Sequence, residues 1–316
     1  MFYKLNGKGE FFPTEKIELN NYKGLSVALG CFDGVHRGHQ ALLTRAASRE
    51  GLMPAVWTFS EPLTLPFIDS VNERVSSFGR YGMEMAICES FLSVKSLAPE
   101  DFVRRLTEEF KVRHFVCGED FRFGINRSGD ADTLRVFAEK YGATAEIIPP
   151  LMSDILSPDT GESGKISATL IRKLLAIGNV EAARELLGRP YAIRGSVVEG
   201  KHIGRTMKLP TVNQTVESGR VILKHGVYDS VTVIDGERLP SVTNFGTRPT
   251  VNDDKTDVTC ETHIIGENID LYGKNITVLF YRYAREERRF DSLESLKAAV
   301  SEDVKRARIY FENLNK

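Results

Sequence analysis

The chain has 316 residues, 41% hydrophobic and 27% charged, with a formal net charge of -1. That is length for two ordinary domains and the composition of a globular protein; the near-zero balance excludes the basic surface that nucleic acid or an anionic membrane selects. No apolar run approaches the ~20 residues of a membrane span, and the opening MFYKLNGKGEFFP has no apolar signal core, so a cytoplasmic protein with no nucleic-acid or membrane partner is expected.

From the N-terminus, Ser26–Phe32, Met53–Phe59, His114–Cys117 and Thr144–Ile148 read as strands, and Gln40–Arg49, Pro99–Phe110 and Asp132–Tyr141 as helices. Strands alternating with helices predict crossover units and a mostly parallel α/β sheet. The pattern breaks at Gly188-Arg189-Pro190, which divides the chain into 1–187 and 188–316. Beyond the break, Tyr191–Val198, Gly226–Val233, Leu239–Asn244, Thr259–Ile265 and Asn275–Tyr283 are short runs separated by turns such as Asp235-Gly236 and Tyr272-Gly273. They predict an antiparallel barrel or sandwich. A terminal helix, Ser292–Leu314, is expected to bury Leu293, Leu296, Val300, Val304 and Ala307. Cys31, Cys88, Cys117 and Cys260 form no CxxC pair and are expected to be reduced thiols packed in strands, not a disulfide framework or a zinc site.

The stretch SVALGCFDGVHRGHQALL, from Ser26, crowds Gly30, Gly34, Gly38, Asp33, His36 and His39 into the point where a strand becomes a helix. A helix N-terminus carries unpaired N–H groups and partial positive charge. Glycines let the backbone approach a phosphate, and histidines donate hydrogen bonds to its oxygens. The spacing is neither a P-loop nor GxGxxG. Two other readings stand beside phosphate binding: a tight turn with surface histidines, and a histidine metal pair.

GCFDGVHRGH resembles the GxFDGxHxGH signature of the HxGH nucleotidyltransferase superfamily. The ordered motifs VCGEDFRFG, ISATLIRKLLAIGNV, GSVVEGKHIGRTMKLPTVN, NFGTRPTV and ETHIIG with LYGKNITV resemble the bacterial bifunctional riboflavin kinase/FMN adenylyltransferases, the prokaryotic FAD synthetases, over nearly the whole chain. The resemblance implies an N-terminal Rossmann-like nucleotidyltransferase α/β domain with a parallel sheet. It implies a C-terminal antiparallel β-barrel riboflavin kinase domain with a terminal helix. It further implies Mg2+ as cofactor, ATP as co-substrate, and riboflavin, FMN and FAD as substrates and products.

In the first module the implied reaction transfers AMP from ATP to FMN and releases pyrophosphate. His36, His39 and Arg172 would act on the phosphates, with Gly30, Phe32, Asp33, Gly34, Gly38, Ser167 and Thr169 shaping the nucleotide site. Ser167 and Thr169 equally suit a helix N-cap. GEDFRFG, with Gly118, Asp120, Phe121 and Phe123, would lie against the flavin; its aromatics equally suit the core. The family's TFxPHP segment corresponds to Thr58-Phe59-Ser60-Glu61-Pro62-Leu63, which has no histidine, and its double serine to Ser167-Ala168.

In the second module the implied reaction phosphorylates riboflavin. Pro210-Thr211-Val212-Asn213 resembles the PTAN motif, and the oxygens of Thr211 and Asn213 suit magnesium, although a polar turn has the same composition. Glu261 matches the catalytic glutamate. Alternation places it opposite Cys260 and Thr262, and a carboxylate facing a barrel interior is costly unless paired or functional. Gly200, Gly204 and Arg205 would cover the nucleotide, and Arg248 would meet the flavin side of the site. The alternatives to a bifunctional enzyme are a riboflavin kinase with an inactive first module and a non-catalytic flavin-binding regulator.

Overall fold

The apolar runs of the N-terminal half become strands buried on both faces, the state in which a parallel strand reads as nearly continuous hydrophobicity. A computed structural model describes residues 1–6, 10–19, 21–198, 210–249, 256–267 and 271–314. The chain forms two units, one of Met1–Leu156 with Gly161–Ala168, the other of Ser157–Thr160 with Thr169–Lys316.

In the first unit the strands are β1 (Phe2–Leu5), β2 (Phe11–Thr14), β3 (Leu25–Leu29), β4 (Met53–Phe59), β5 (Met85–Glu89), β6 (Val112–Gly118) and β7 (Thr144–Ile148). They form one sheet in the order β2-β1-β5-β4-β3-β6-β7. The strands from β5 to β7 in that order are parallel, and β1 runs antiparallel to β2 and β5. The helices are α1 (Arg37–Ala47), α2 (Val71–Phe78), α3 (Phe91–Val94), α4 (Pro99–Glu108) and α5 (Ala131–Lys140), with a small hairpin of β8 (Met152–Ser153) and β9 (Gly164–Lys165). Alternate side chains feed two cores. Leu25, Val27, Leu29, Trp57, Phe115 and Cys117 pack with Phe102 and Leu134 of α4 and α5. Ala28, Val56, Ala86 and Val116 pack with Leu43 and Phe78 of α1 and α2.

The second unit holds α6 (Ala168–Ala176) past its first residue, α7 (Val180–Leu187), and the strands β10 (Tyr191–Val198), β11 (Val212–Thr215), β12 (Gly226–Ile234), β13 (Glu237–Pro249), β14 (Thr256–Ile264) and β15 (Asn275–Arg285), then α8 (Leu293–Leu314). The strands close a barrel in the order β10-β11-β14-β13-β12-β15, antiparallel throughout, so of barrel and sandwich the barrel is found. The β12–β13 hairpin turns on Asp235 (φ 49°) and Gly236 (φ 90°), both left-handed, which is what a two-residue turn matched to strand twist requires.

The barrel interior is mixed: Tyr191, Tyr228 and Phe245 gather around Phe280, all fully buried, beside a patch of hydroxyls. Ser230 shares hydrogen bonds with Ser241 (3.1 Å) and Thr243 (2.8 Å), Thr232 with Ser241 (2.9 Å), and Thr243 with Thr262 (2.9 Å), all buried. A second apolar surface lies outside, where Val227, Val231, Val242 and Tyr281 pack against Ala307 and Phe311 of α8.

Several expectations are corrected. The first strand ends at Leu29, not Phe32, because Phe32 already has a left-handed backbone (φ 54°). Helix α1 begins at Arg37 rather than Gln40 because His36 caps it. On α8 the buried residues are Ala299, Asp303, Ala307 and Phe311, while Leu293 is exposed. Cys88, Cys117 and Cys260 are buried in strands, with burial pushing the Cys117 thiol up to about 12. Cys31 is exposed in the loop after β3. Among the described residues no helix is long and apolar enough to cross a membrane.

Candidate active sites

From β3 the chain winds outward through β4 and β5 on one side, then returns to β6 and β7 on the other. The carboxyl ends of the neighbours β3 and β6 therefore flank the point where winding reverses, where open α/β sheets place their ligand crevices. The loop after β3 carries GCFDGVHRGH and the loop after β6 carries GEDFRFG, so the topology brings the two motifs together.

Phe32 (φ 54°), Gly34 (φ 77°) and Val35 (φ 41°) all lie in the left-handed region. For a bulky and a β-branched residue this costs on the order of 1–3 kcal/mol each. The surroundings hold it: Phe32 is buried against Phe78 (ring centroids 5.7 Å) and His39 (5.1 Å), and Gln40 Nε2 donates to the Val35 carbonyl at 2.9 Å. Asp33 Oδ1 accepts from the amides of Ile68 (2.9 Å) and Asp69 (3.1 Å), binding the loop to the next crossover.

His36 Nδ1 accepts from the His39 amide at 3.3 Å as the N-cap of α1. The two imidazoles stack 3.6 Å apart with planes 16° from parallel. Stacked rings aim their nitrogen lone pairs along nearly parallel lines, whereas imidazoles sharing a metal converge on one point. A Cβ at Gly38 would stand 3.2 Å from the His36 ring and 3.7 Å from the Ile166 carbonyl, so glycine there lets the segment ending in Ile166 and Ser167 close on the helix start. At 6% exposure His36 is not a surface residue, which removes the turn-with-surface-histidines reading. Burial, with His36 and Arg74 adding to it, holds the His39 pKa well below the usual histidine value, so the ring is neutral at pH 7.

Sequence reasoning missed Arg74. Buried on α2, it donates to the carbonyls of Cys31 and Phe59 (3.3 Å to the latter) and so supports the turn from behind. The signal for its helix was present: Ser70 and Glu73 form a capping box.

In the loop after β6, Phe123 is buried against Phe102 (5.3 Å), whereas Phe121 is half-buried and stacks on Phe123 (5.4 Å). Asp120 meets Lys165 Nζ at 2.5 Å, and that hydrogen bond holds its carboxyl below the usual range. Thr169 and Arg172 fall in the second unit, where Arg172 donates to Thr169 Oγ1 at 3.3 Å.

On the barrel, register sets Asn213 of β11 and Asn244 of β13 on either side of Glu261 of β14. Because Cys260 and Thr262 fill the interior, Glu261 projects from the outer face, half-buried, which corrects the expectation of an inward carboxylate. Asn213 is 5% exposed. His263 Nδ1–H donates to the Pro210 carbonyl at 2.9 Å and ties the Pro210-Thr211 segment to β14. The amide oxygen of buried Asn213 and the hydroxyl of Thr211 are hard donors beside a carboxylate, which fits a magnesium ion. Gly200, Gly204 and Arg205 lie outside the described residues, and of Arg248 only the strand position is described.

Family models match the chain in two places: FAD synthetase at residues 19–157 and riboflavin kinase at residues 187–311. The chain is 36% identical over 300 residues to the bifunctional riboflavin kinase/FMN adenylyltransferase of Pseudomonas fluorescens, covering 91% of this chain and 93% of that protein. It is 34% identical over 305 residues to the protein of that description from Escherichia coli K12, covering 92% and 93%. A solved structure from Streptococcus pneumoniae, described as a macrolide-efflux protein, superposes with a TM-score of 0.78 at 29% identity, covering 90% of this chain and 94% of that one.

Proposed function

The chain belongs to the bifunctional riboflavin kinase/FMN adenylyltransferase family, and from that membership we propose that it phosphorylates riboflavin with ATP to FMN and then adenylylates FMN with a second ATP to FAD. The observation that carries the reading is the presence in one chain of a histidine-capped helix start at the sheet's reversal point and a glutamate flanked by two asparagines on the barrel. We assign adenylyl transfer to residues 1–187 and phosphoryl transfer to 188–316; the family matches at 19–157 and 187–311 support that division.

In adenylyl transfer the FMN phosphate attacks the α-phosphorus of ATP in line and pyrophosphate leaves. No covalent enzyme intermediate is required, so the protein supplies position and charge stabilisation. His36, His39 and the first amides of α1 hold the phosphates, and Ser167 completes the grip. The loop after β6, with Phe121 at its surface, receives the flavin.

In phosphoryl transfer the ribityl 5′-hydroxyl of riboflavin attacks the γ-phosphorus of ATP, the bond to the bridging oxygen breaks, ADP leaves, and Glu261 accepts the hydroxyl proton. Thr211 and Asn213 would hold Mg2+, which screens phosphate charge when bound. The protein works in the cytoplasm, with no nucleic acid or membrane as partner.

Incubating the pure protein with riboflavin, ATP and magnesium and resolving the flavins by chromatography gives FMN first and FAD after it. FMN alone indicates an inactive first module, and unchanged riboflavin indicates a regulator.

The helices α6 and α7 precede residue 188, yet α7 packs on β10 and β15 and buries Val180, Ala183, Leu186 and Leu187. Each buried aliphatic chain is worth about 1.5–3 kcal/mol. A fragment of residues 169–316 is therefore expected to make FMN and to melt well above one of residues 189–316. Equal melting temperatures would show that α7 adds nothing to the barrel.

A further inference from the structure

Glu287 lies in the connection between β15 and α8, outside every motif quoted above. Its Oε1 accepts a hydrogen bond from Asn244 Nδ2 at 2.9 Å. The carboxylate occupies the space over Gly246 that a Cβ would fill, so the glycine in Asn244-Phe245-Gly246 is what lets it approach the strand. Asn244 is the strand partner of Glu261, and residues directly opposed in an antiparallel pair have Cβ atoms about 4.5–5.5 Å apart.

The connection that carries Glu287 is itself held. Arg285 Nε donates to Asp303 Oδ1 at 3.0 Å and its NH2 donates to Oδ2 at 2.7 Å, a two-pronged grip on a carboxylate of α8 that is 3% exposed. Arg306 NH1 donates to the same carboxylate at 2.9 Å. A forked pair fixes the plane of the guanidinium as well as its distance. The helix thus sets the direction in which the chain leaves β15, two residues before Glu287.

We propose that Glu287 is a positioning residue of the kinase site, fixing the amide of Asn244 beside Glu261, and that Asp303 acts on the reaction through Arg285 and Glu287. The inference rests on Glu261 as the proton acceptor. A free asparagine amide can present either its oxygen or its NH2 group to a neighbour. A carboxylate accepts only from the NH2 end, so Glu287 commits Asn244 to one orientation, and Glu261 meets a fixed dipole on one side and Asn213 on the other.

Glu287→Ala is expected to lower kcat for FMN formation about 10- to 100-fold, the scale of a misplaced catalytic group, with KM for ATP nearly unchanged. Glu287→Gln keeps an acceptor oxygen at the same reach but adds an NH2 donor that can meet Asn244 in its other orientation, so it recovers only part of kcat. Asp303→Asn lowers kcat in the same sense and adds nothing further in the double variant with Glu287→Ala, as residues acting in series do. If Asp303→Asn fails to fold, Arg285→Lys, which keeps the charge without the fork, takes its place in the cycle. The proposal is overturned by a Glu287→Ala or Glu287→Gln enzyme with wild-type kcat, or by effects that multiply in the double variant. Glu261→Gln assayed alongside separates the two levels. Full FMN formation there overturns the role of Glu261 and this inference with it, whereas loss there beside a normal Glu287→Ala enzyme overturns this inference alone.

Discussion

Glu261→Gln lowers FMN formation from riboflavin by about 10²–10⁴-fold, the usual contribution of a general base, while FAD formation from supplied FMN stays at the wild-type rate. Glutamine keeps the length and hydrogen-bonding reach of the side chain and removes only its capacity to take a proton. Glu261 is half-buried on the outer face of β14, and the substitution leaves the interior neighbours Cys260 and Thr262 untouched, so the barrel is expected to stay folded. Two coupled assays on one preparation, riboflavin to FMN and FMN to FAD, measure the split. Parallel loss of both activities would mean that the substitution damages the protein as a whole.

The second large effect falls on the other reaction. Replacing a histidine of the α1 start is expected to cost FAD formation on the order of 10²–10³-fold, as loss of one preorganised donor to a developing charge does, and to let FMN accumulate from riboflavin. The two histidines call for different variants. His39→Ala removes a half-buried neutral ring. His36→Ala would also strip the cap from α1, worth about 0.5–2 kcal/mol, so His36→Asn, which retains a capping oxygen, isolates the phosphate contact from helix stability. Because the low His39 pKa keeps the ring neutral, protonation of His39 should leave FAD formation unaffected until the pH falls well below the ordinary histidine value. Unchanged FAD output from both variants would remove the phosphate-binding role.

Much of the architecture was legible because hydrophobicity marked it. Met53–Phe59, Thr144–Ile148 and Tyr191–Val198 were read with the bounds they have in the structure. Strands β1, β2 and β5 were not: β1 and β2 are short strands at the sheet's edge, and β5 is a brief apolar run without alternation. Two failures have separate causes. The barrel's strands carry apolar side chains on both faces, Tyr228, Phe245 and Phe280 inward and Val227, Val231 and Val242 under α8, so an alternating pattern could not say which face was inward, and Glu261 was turned the wrong way. On α8, Asp303 takes a core position that only its arginine partners make tenable, and a search for apolar periodicity passes over it. The candidate sites fared better in residue type than in surroundings. His36 and His39 stand at a helix start as expected, but the left-handed Phe32 and Val35 and the supporting Arg74 come from packing and leave no local mark.

The seam of the barrel has a consequence for synthesis. Strand β10 pairs with β15, Tyr191 against Phe280, so the barrel's first strand waits for its last. The first unit, in contrast, is complete once Ala168 has been made. The 112 residues from there to Phe280 take roughly 6–22 s at about 5–20 residues per second. During that interval a finished α/β unit is tethered to strands with an unpaired edge, the form of a nascent chain most exposed to chaperones and to aggregation. A message broken within that stretch would yield the α/β unit whole and the barrel open, so translational accidents would remove one activity before the other.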